Sequence, residues 1–285
     1  MDENEFLAEI KSIDSKVLVE CINQCFPKWG EMFNGISEVY YYTDLNALIN
    51  GIFKYDNKIC LWASRWTHLN DSEEFKIGLS KFNFLEKSEF SWVKECVLRR
   101  IKNTHLISFS EYKDILPMWK MYGDGGNGVM LIFDTKELLK EWTSQMYPCM
   151  YTNTKAYNQT LDMIYGFFDN PSFSSLTDVQ KRYVLIWMII LLVSTTKKDD
   201  YAYEKEIRLI GLGNTAWGNV YKQEYRVVRK TIIPYVEAFM PKESLKGVCL
   251  GPLVNSELNK NTLREFLRDK GYDNVEVSVS DIKYR

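Results

Sequence analysis

The stretch Tyr40–Gly51, YYYTDLNALING, is decisive for the fold because it joins an extended segment to a helix within a few residues. Aromatic residues favour a β-strand up to Thr43, on which Tyr41 faces opposite to its two tyrosine neighbours. Thr43 or Asp44 can cap the helix that follows, and Gly51 is expected to end it. A strand end beside a helix N-terminus can bind an anion or a nucleotide, but the stretch by itself favours a packed strand with a hydroxyl cap.

Helical and extended patterns follow each other along the rest of the chain without a regular βαβ rhythm, which predicts an α+β fold. Apolar residues at three- and four-residue spacing indicate two helices within residues 1–35. No linker divides the remainder. We therefore predict a helical N-terminal extension over 1–35 and a single α+β domain over 36–285. Strands are expected at 37–43, 59–64, 106–110, 129–134, 206–212, 225–233, 248–251 and 275–279.

Composition excludes several classes of protein. The net charge of −2 over 285 residues provides no sequence-wide basic field for nucleic acid. The six cysteines include no C-x-x-C pair and are expected to be reduced. The start, MDENEFLAEIKS, is too charged for a signal peptide, and the apolar run Val184–Val193 is about half the length of a membrane-spanning helix. These features predict a cytoplasmic protein with that helix buried against the sheet.

Polar residues concentrate in Ser64–Glu74, SRWTHLNDSEE. Asn70 begins a helix-start signature, and Glu73 can complete a capping box with it. This structural explanation accounts for part of the segment but does not require Arg65, which is therefore a candidate for ligand binding.

A third candidate segment begins at a strand, LISFS, on which Ser108 and Ser110 are expected to face the same side. A short helix is predicted over Leu116–Tyr122. It is broken by the glycine-rich stretch Gly123–Gly128, GDGGNG, whose four glycines permit close backbone approach to a ligand. The spacing is not that of a phosphate-binding P-loop, because no G-K-[ST] follows. A flexible hairpin loop is the alternative interpretation.

The fourth segment is Tyr201–Ile210, YAYEKEIRLI. On a strand, Glu204 and Glu206 share one face and can act as an acid/base or cation-stabilising pair. Arg208 lies on the same face and can keep one of them ionised. An edge strand with solvated, inert charges is the alternative.

In this order, the four segments resemble a large bacterial family known mainly as a domain of unknown function. Its members read roughly Y-H-Y-T, then N-D-p-x-E, s-F-S-e, W-x-x-Y-g-x-x-g-x-G and y-E-k-E-w-R. Each motif is weak alone, but the combination is specific and covers the chain from about Val39 to its end. The matching positions here are Tyr40–Ile49, Ser64–Glu74, Ser108–Glu111, Trp119–Gly128 and Tyr203–Arg208.

The same order resembles, more distantly, the ADP-ribosyltransferases, especially toxins that modify nucleic acid. This resemblance implies a split β-sheet that clamps NAD, the substrate, in a central cleft. Tyr41 stands where the family has its usual histidine, and its hydroxyl can still bond a ribose although it is bulkier. The resemblance assigns Tyr41 and Thr43 to the first motif, Ser108 and Ser110 with Trp119 and Tyr122 to the second, and Glu206 or Glu204 to the third.

The roles implied are those of an NAD-consuming transferase. Glu206 would stabilise the oxocarbenium-like transition state, and Glu204 would orient or deprotonate the acceptor. Tyr41 and Thr43 would hold the nicotinamide ribose, with Tyr41 among the catalytic residues. The remaining NAD contacts are predicted from Arg65 on the pyrophosphate, Trp119 or Tyr122 stacked on nicotinamide, and Asn70, Ser108 and Ser110. No metal site is expected.

Such a protein would be a toxin or an anti-phage defence effector with a macromolecular acceptor, nucleic acid or protein. An antitoxin or regulatory partner would accompany it. Two other hypotheses stay open. One is a nucleotide-sensing or partner-binding module without turnover, which the tyrosine at position 41 favours. The other is a metal-dependent nuclease built on Asp71, Glu74 and Glu204 or Glu206, which requires these carboxylates to converge.

Overall fold

The structure is a computed structural model that describes residues 15–26, 33, 35–68, 73–142, 145–212, 222–228 and 230–283. The chain divides into two compact units. One is mainly helical, and the other is built on a large mixed sheet, which confirms the α+β class. The helical unit contains the described residues of Met1–Asn34, Trp66–Thr104 and Cys149–Ala202, and the sheet unit those of Gly35–Arg65, His105–Pro148 and Tyr203–Arg285.

The apolar helix Asp178–Thr195 belongs to the helical unit, and most of its residues are buried. Thr177 and Gln180 begin it with a reciprocal capping box, in which each side chain bonds the other's backbone N–H. The run Val184–Val193 is buried except for Trp187, as predicted. Within its unit this helix packs against the helices Glu73–Ser80 and Ser91–Lys102, and its expected packing against the sheet stays a prediction.

The described part of the predicted N-terminal extension is one helix, Ser15–Cys25. It packs against Lys155–Tyr165 and Asp178–Thr195, so it belongs to the helical unit. The other predicted helix of this region falls in residues 1–14, outside the described residues. The division into an extension over 1–35 and a single domain over 36–285 stays a prediction. The unit also contains a small parallel sheet of two strands, β6 Met150–Tyr151 and β7 Thr196–Lys197.

The described residues of the sheet unit form ten strands of one sheet: β1 Glu38–Thr43, β2 Ile59–Arg65, β3 Thr104–Ser110, β4 Val129–Asp134, β5 Met146–Pro148, β8 Glu206–Leu212, β9 Glu224–Val228, β10 Thr231–Met240, β11 Leu245–Leu250 and β12 Glu276–Val279. Their order is β12-β11-β4-β1-β3-β2-β10-β9, with β8 pairing with both β3 and β5. β11 and β12 pair in parallel, whereas β1, β4 and β11 on one side and β2, β10 and β9 on the other are antiparallel. Its helices are Leu116–Tyr122, Thr135–Trp142 and Ser256–Asp269, with a short helical segment over Leu45–Ala47 and Leu48–Ile52.

Strand β3 is the junction that positions the candidate site. Near its start His105 lies opposite Arg65 of β2, and at its end Ser110 lies opposite Tyr40 of β1. Strand β8, which begins at Glu206, pairs with β3 as well. Segments that are far apart in sequence therefore meet on one strand.

One predicted strand was wrong. The residues expected to form a single strand over 225–233 form a hairpin of β9 and β10 instead. Lys230 lies at the turn with a φ of 70°, in the left-handed region that a tight turn requires. A β-rich composition alone does not reveal where such a turn falls.

Candidate functional site

The two glutamates at the start of β8 do not share a strand face, which corrects the sequence-based interpretation. Glu204 ends the 3₁₀ segment Asp199–Glu204, and the strand begins only at Glu206. Lys205 between them has a φ of 41°, a left-handed conformation that non-glycine residues rarely adopt and that is often found at functional sites. The backbone therefore turns between the two carboxylates.

Hydrogen bonds tie this turn to the end of β3. The Ser110 hydroxyl donates to the carbonyl oxygen of Glu204 at 2.7 Å, and the Glu111 backbone N–H donates to the carbonyl oxygen of Lys205 at 3.0 Å. Ser110 is fully buried and also accepts from the backbone N–H of Tyr112 at 3.0 Å. The serine thus holds the loop after β3 and the turn before β8 in one arrangement.

The carboxylate of Glu204 is buried, with 2% of the residue exposed. It accepts a hydrogen bond from the phenol of Tyr122 at 3.0 Å. Tyr122 is the last residue of the helix Leu116–Tyr122, which the sequence predicted correctly. The structure therefore brings together three of the predicted site residues, Ser110, Tyr122 and Glu204, from three separate segments.

Glu206 forms a two-point ion pair with Arg208. Nε and Nη2 of the guanidinium donate to the two carboxylate oxygens at 2.9 and 3.1 Å. Both side chains are almost completely buried, with 5% and 2% exposed for Glu206 and Arg208. Arg208 does lie beside a glutamate as predicted, and the edge-strand alternative with solvated charges does not describe these two residues. A planar guanidinium paired in this way holds the carboxylate ionised and fixed in direction.

Tyr41 points away from the aromatic core on β1. Tyr40 and Tyr42 pack with Trp119 in one buried cluster, so alternation along the strand places Tyr41 on the opposite face. There its ring packs edge-on against that of Phe109, with 5.9 Å between the ring centroids. Burial raises the pKa of the Tyr41 phenol, an effect that the guanidinium of Arg226 partly opposes. The Tyr41 hydroxyl is therefore protonated at neutral pH and available as a hydrogen-bond donor.

Thr43 is buried at the end of β1, opposite Val129 of β4. The cap of the following helix is Asp44, whose carboxylate accepts from the Ala47 backbone N–H at 2.7 Å. The prediction that Gly51 ends this helix was wrong. This glycine lies inside Leu48–Ile52, where a Cβ would meet the Trp62 ring at 2.3 Å.

Four further residues were predicted to contact NAD, and the structure bears on three of them. Trp119 is fully buried in the core and donates its indole N–H to Asp114 at 2.6 Å, so its ring does not face a ligand in this conformation. Arg65, at the end of β2, donates to the side-chain oxygen of Gln223. Ser108 is exposed between two buried neighbours on β3. Asn70 lies outside the described residues.

The glycine-rich stretch serves contacts within the chain. A Cβ on Gly128 would lie 2.1 Å from the Thr43 carbonyl oxygen, and one on Gly251 would lie 2.4 Å from the carbonyl oxygen of Gly126. Backbone N–H groups of Gly251 and Leu253 donate to this loop at 2.9 Å. The absence of side chains is thus explained by backbone packing, whereas the sequence suggested approach to a ligand.

Arg226 is the residue near Tyr41 that the sequence analysis missed. It comes from β9, donates through Nη2 to the Ser64 hydroxyl at 2.9 Å, and lies over the Trp62 ring at 5.0 Å from its centroid. An arginine on a strand with exposed neighbours gives no sequence signal of this placement. Only the pairing of β9 with β10 and of β10 with β2 reveals it.

The described residues also bear on two other classes of protein, metal-binding and membrane-spanning ones. No group of three or more histidine, cysteine, aspartate or glutamate side chains among them could hold a metal ion. Asp71, which the nuclease alternative requires, lies outside this part of the chain. No helix in the described ranges combines the length and apolar character that crossing a membrane requires.

Comparison with known proteins gives one match. A family model described as a protein of unknown function (DUF2971) matches residues 118–209. This confirms the resemblance to a family of unknown function over a range that includes Trp119, Tyr122, Glu204, Glu206 and Arg208. No curated protein and no solved structure shows significant similarity to the chain.

Proposed function

We propose that this chain is an NAD-dependent ADP-ribosyltransferase-like protein with its site in the sheet unit. The observation that supports the proposal is the convergence of Ser110, Tyr122 and Glu204, which the resemblance had assigned to separate motifs. Ser110 bonds the backbone of Glu204 and Tyr122 bonds its carboxylate. Buried carboxylates beside buried hydroxyls suit a reaction in which positive charge develops on a sugar.

The reaction proposed breaks the bond between C1′ of the ribose and the nicotinamide nitrogen. Its electron pair leaves with nicotinamide, and an acceptor oxygen or nitrogen bonds to C1′ and loses its proton. Glu206 stabilises the developing oxocarbenium ion, and Glu204 receives the proton of the acceptor or orients it. Tyr41 and Thr43 contact the ribose, Arg65 the pyrophosphate, and Tyr122 the nicotinamide. With water as acceptor the products are ADP-ribose and nicotinamide.

The proposed setting is that of a toxin or an anti-phage defence effector, which acts on nucleic acid or protein and is held in check by an antitoxin or regulatory partner. Expression in a bacterial host should then slow growth. The Glu206→Gln variant should relieve that effect.

The direct test is incubation with NAD carrying a labelled adenylate phosphate, with and without a cell lysate, while nicotinamide release is followed. Label on a macromolecule indicates transfer, and release without lysate indicates hydrolysis. Glu206→Gln should lower the rate by about 10²–10³, the usual loss when one electrostatic partner of a transition state is removed. Absence of nicotinamide release by the wild-type protein under both conditions would refute the proposal.

A matched control separates loss of chemistry from loss of structure. Lys197→Gln breaks another buried ion pair, that of Lys197 with Glu74 at 3.5 Å in the helical unit. It should cost comparable stability but leave the rate per folded molecule unchanged. Equal losses in the Glu206→Gln and Lys197→Gln proteins, after correction for the folded fraction, would contradict a catalytic role for Glu206.

The second candidate function is a nucleotide-sensing or partner-binding module without turnover. Three observations favour it. The Glu206 carboxylate is held on both oxygens by Arg208, Trp119 is a core residue, and a tyrosine stands at position 41. This function predicts saturable NAD binding in calorimetry without nicotinamide release.

A further inference from the structure

A cluster of hydrogen-bond donors lies on β2, β9 and β10 of the sheet unit. The Arg226 guanidinium bonds the Ser64 hydroxyl at 2.9 Å and lies over two aromatic rings, 5.0 Å from the centroid of Trp62 and 5.9 Å from that of Tyr235. Ser64 lies opposite Tyr235 in the register of β2 with β10. Stacking and the serine bond therefore hold the guanidinium in a fixed direction.

Several donors of this cluster have no acceptor. Nε of Arg226, Nε1 of Trp62 and Nε of Arg65 are all buried without a hydrogen-bond partner in the part of the chain that the structure describes. A buried donor left unsatisfied costs about 1–3 kcal/mol, and more when it is charged. Arg226 and Trp62 are in contact although β10 separates their strands, so their two unsatisfied atoms together indicate a missing acceptor.

The charge of the cluster is positive. Within the described ranges neither Arg65 nor Arg226 is ion-paired with a carboxylate, since Arg65 bonds the neutral side chain of Gln223. The acidic side chains close by have cationic partners of their own, Glu224 with Lys222 at 2.8 Å and Glu237 with Lys54. The missing acceptor is thus expected to be an anion.

We propose that Arg226, Ser64 and Trp62 form a subsite for a phosphate group. A guanidinium offers donors in a planar fork that suits phosphate, and the indole N–H supplies a further donor for a third oxygen. Arg65, the next residue along β2, faces the opposite side of the strand and is not part of the subsite. The raised pKa of the neighbouring Tyr41 phenol keeps it a donor at neutral pH. The subsite stands on these contacts alone and does not depend on NAD cleavage.

The test is isothermal titration with inorganic pyrophosphate and, separately, with ADP at low salt. The wild-type protein should bind with a micromolar to millimolar Kd that weakens as salt rises. Arg226→Gln should weaken binding about 10- to 100-fold, because a hydrogen bond to a charged group is lost. Arg226→Lys should retain part of the affinity, and Trp62→Phe, which keeps the ring but removes the N–H, should lose several-fold. Arg264→Gln, on an exposed helical surface, is the matched control and should bind normally.

The two ligands distinguish the source of the phosphate. Stronger binding of ADP than of pyrophosphate assigns the subsite to a nucleotide, and the reverse order assigns it to a free phosphate. Should Arg226→Gln fail to fold, Trp62→Phe decides the question, since it leaves the guanidinium in place. No saturable binding by the wild-type protein, or equal losses in the Arg226→Gln and Arg264→Gln proteins, would overturn the proposal. Phosphate binding without NAD cleavage would uphold it and reject the transferase function instead.

Discussion

The buried pair of Glu206 and Arg208 leads to a quantitative prediction. Both side chains are at most 5% exposed, and two hydrogen bonds of 2.9 and 3.1 Å join them. Removing one member of such a pair typically costs about 3–5 kcal/mol, because the remaining buried charge loses the opposite charge that it was paired with. Glu206→Gln keeps one acceptor for the guanidinium, so we expect the lower end, about 3 kcal/mol. Arg208→Gln should cost about 4 kcal/mol.

The double variant Glu206→Gln/Arg208→Gln should be much less unstable than the sum of the two, because two amides can bond each other without a buried charge. A double-mutant cycle should therefore give a coupling energy of about 3 kcal/mol. Urea denaturation followed by circular dichroism measures it. With a slope of about 2 kcal/mol per molar urea, each single variant should lower the midpoint by about 1.5–2 M.

An exposed pair in the same chain provides the control for this cycle. Nζ of Lys76 lies 2.6 Å from Oε1 of Glu73, and the two side chains are 66% and 57% exposed. Their coupling energy in the same kind of cycle should therefore be below about 0.5 kcal/mol. The reasoning fails if each variant of Glu206 and Arg208 costs less than about 1 kcal/mol, or if the two pairs show equal coupling. Either result would mean that solvent reaches Glu206 and Arg208.

Three further predictions concern single sites. Burial raises the pKa of Glu111, with Lys205 opposing it, so the folded protein binds this proton more tightly than the unfolded chain and loses stability as pH rises above the unfolded value of about 4.3. Glu111→Gln should accordingly raise the melting temperature at pH 7 and have little effect near pH 4; a pH-independent difference would contradict this. Gly128→Ala should unfold the sheet unit or lower the free energy of unfolding by more than about 3 kcal/mol, since its Cβ would lie 2.1 Å from the Thr43 carbonyl oxygen. Gly125→Ala has open space around its Cβ but a φ of 63°, so chemical denaturation should show a loss of about 1 kcal/mol. Tyr122→Phe removes the donor to Glu204 and should lower nicotinamide release more than NAD affinity, whereas a change in affinity alone would place the phenol in ligand binding.

The local sequence pattern was sufficient to predict an element correctly where the residues of that element themselves determine its burial. The strand VMLIFD is buried on both faces and was predicted with its exact ends at Val129 and Asp134. The glycine-rich stretch after Tyr122 marked the end of the helix Leu116–Tyr122, which was predicted with its observed bounds. The apolar run within Asp178–Thr195 showed its burial directly. In each case the physical cause lies within a few residues of the element.

Long-range pairing could not be inferred in the same way. The placement of Arg226 beside Trp62 depends on two strand registers, which hydrophobic alternation does not encode. The left-handed φ at Lys205 was hidden because lysine rarely adopts it, so an uninterrupted strand was the natural interpretation. The hairpin turn at Lys230 was missed for the same reason. These backbone conformations are imposed by tertiary contacts rather than by the residues' own preferences.

The ion pair also limits how strongly Glu206 can act in the proposed reaction. Arg208 lies against the Glu206 carboxylate, so the developing oxocarbenium ion interacts with the dipole of an ion pair rather than with an isolated negative charge. Its electrostatic stabilisation by Glu206 is therefore weaker. The rate loss in Glu206→Gln should therefore lie near the lower limit of about 10² rather than 10³. Replacing Arg208 as well does not restore the negative charge, so the double variant should remain inactive per folded molecule. Recovery of activity in the double variant would show that Glu206 serves the fold and not the chemistry.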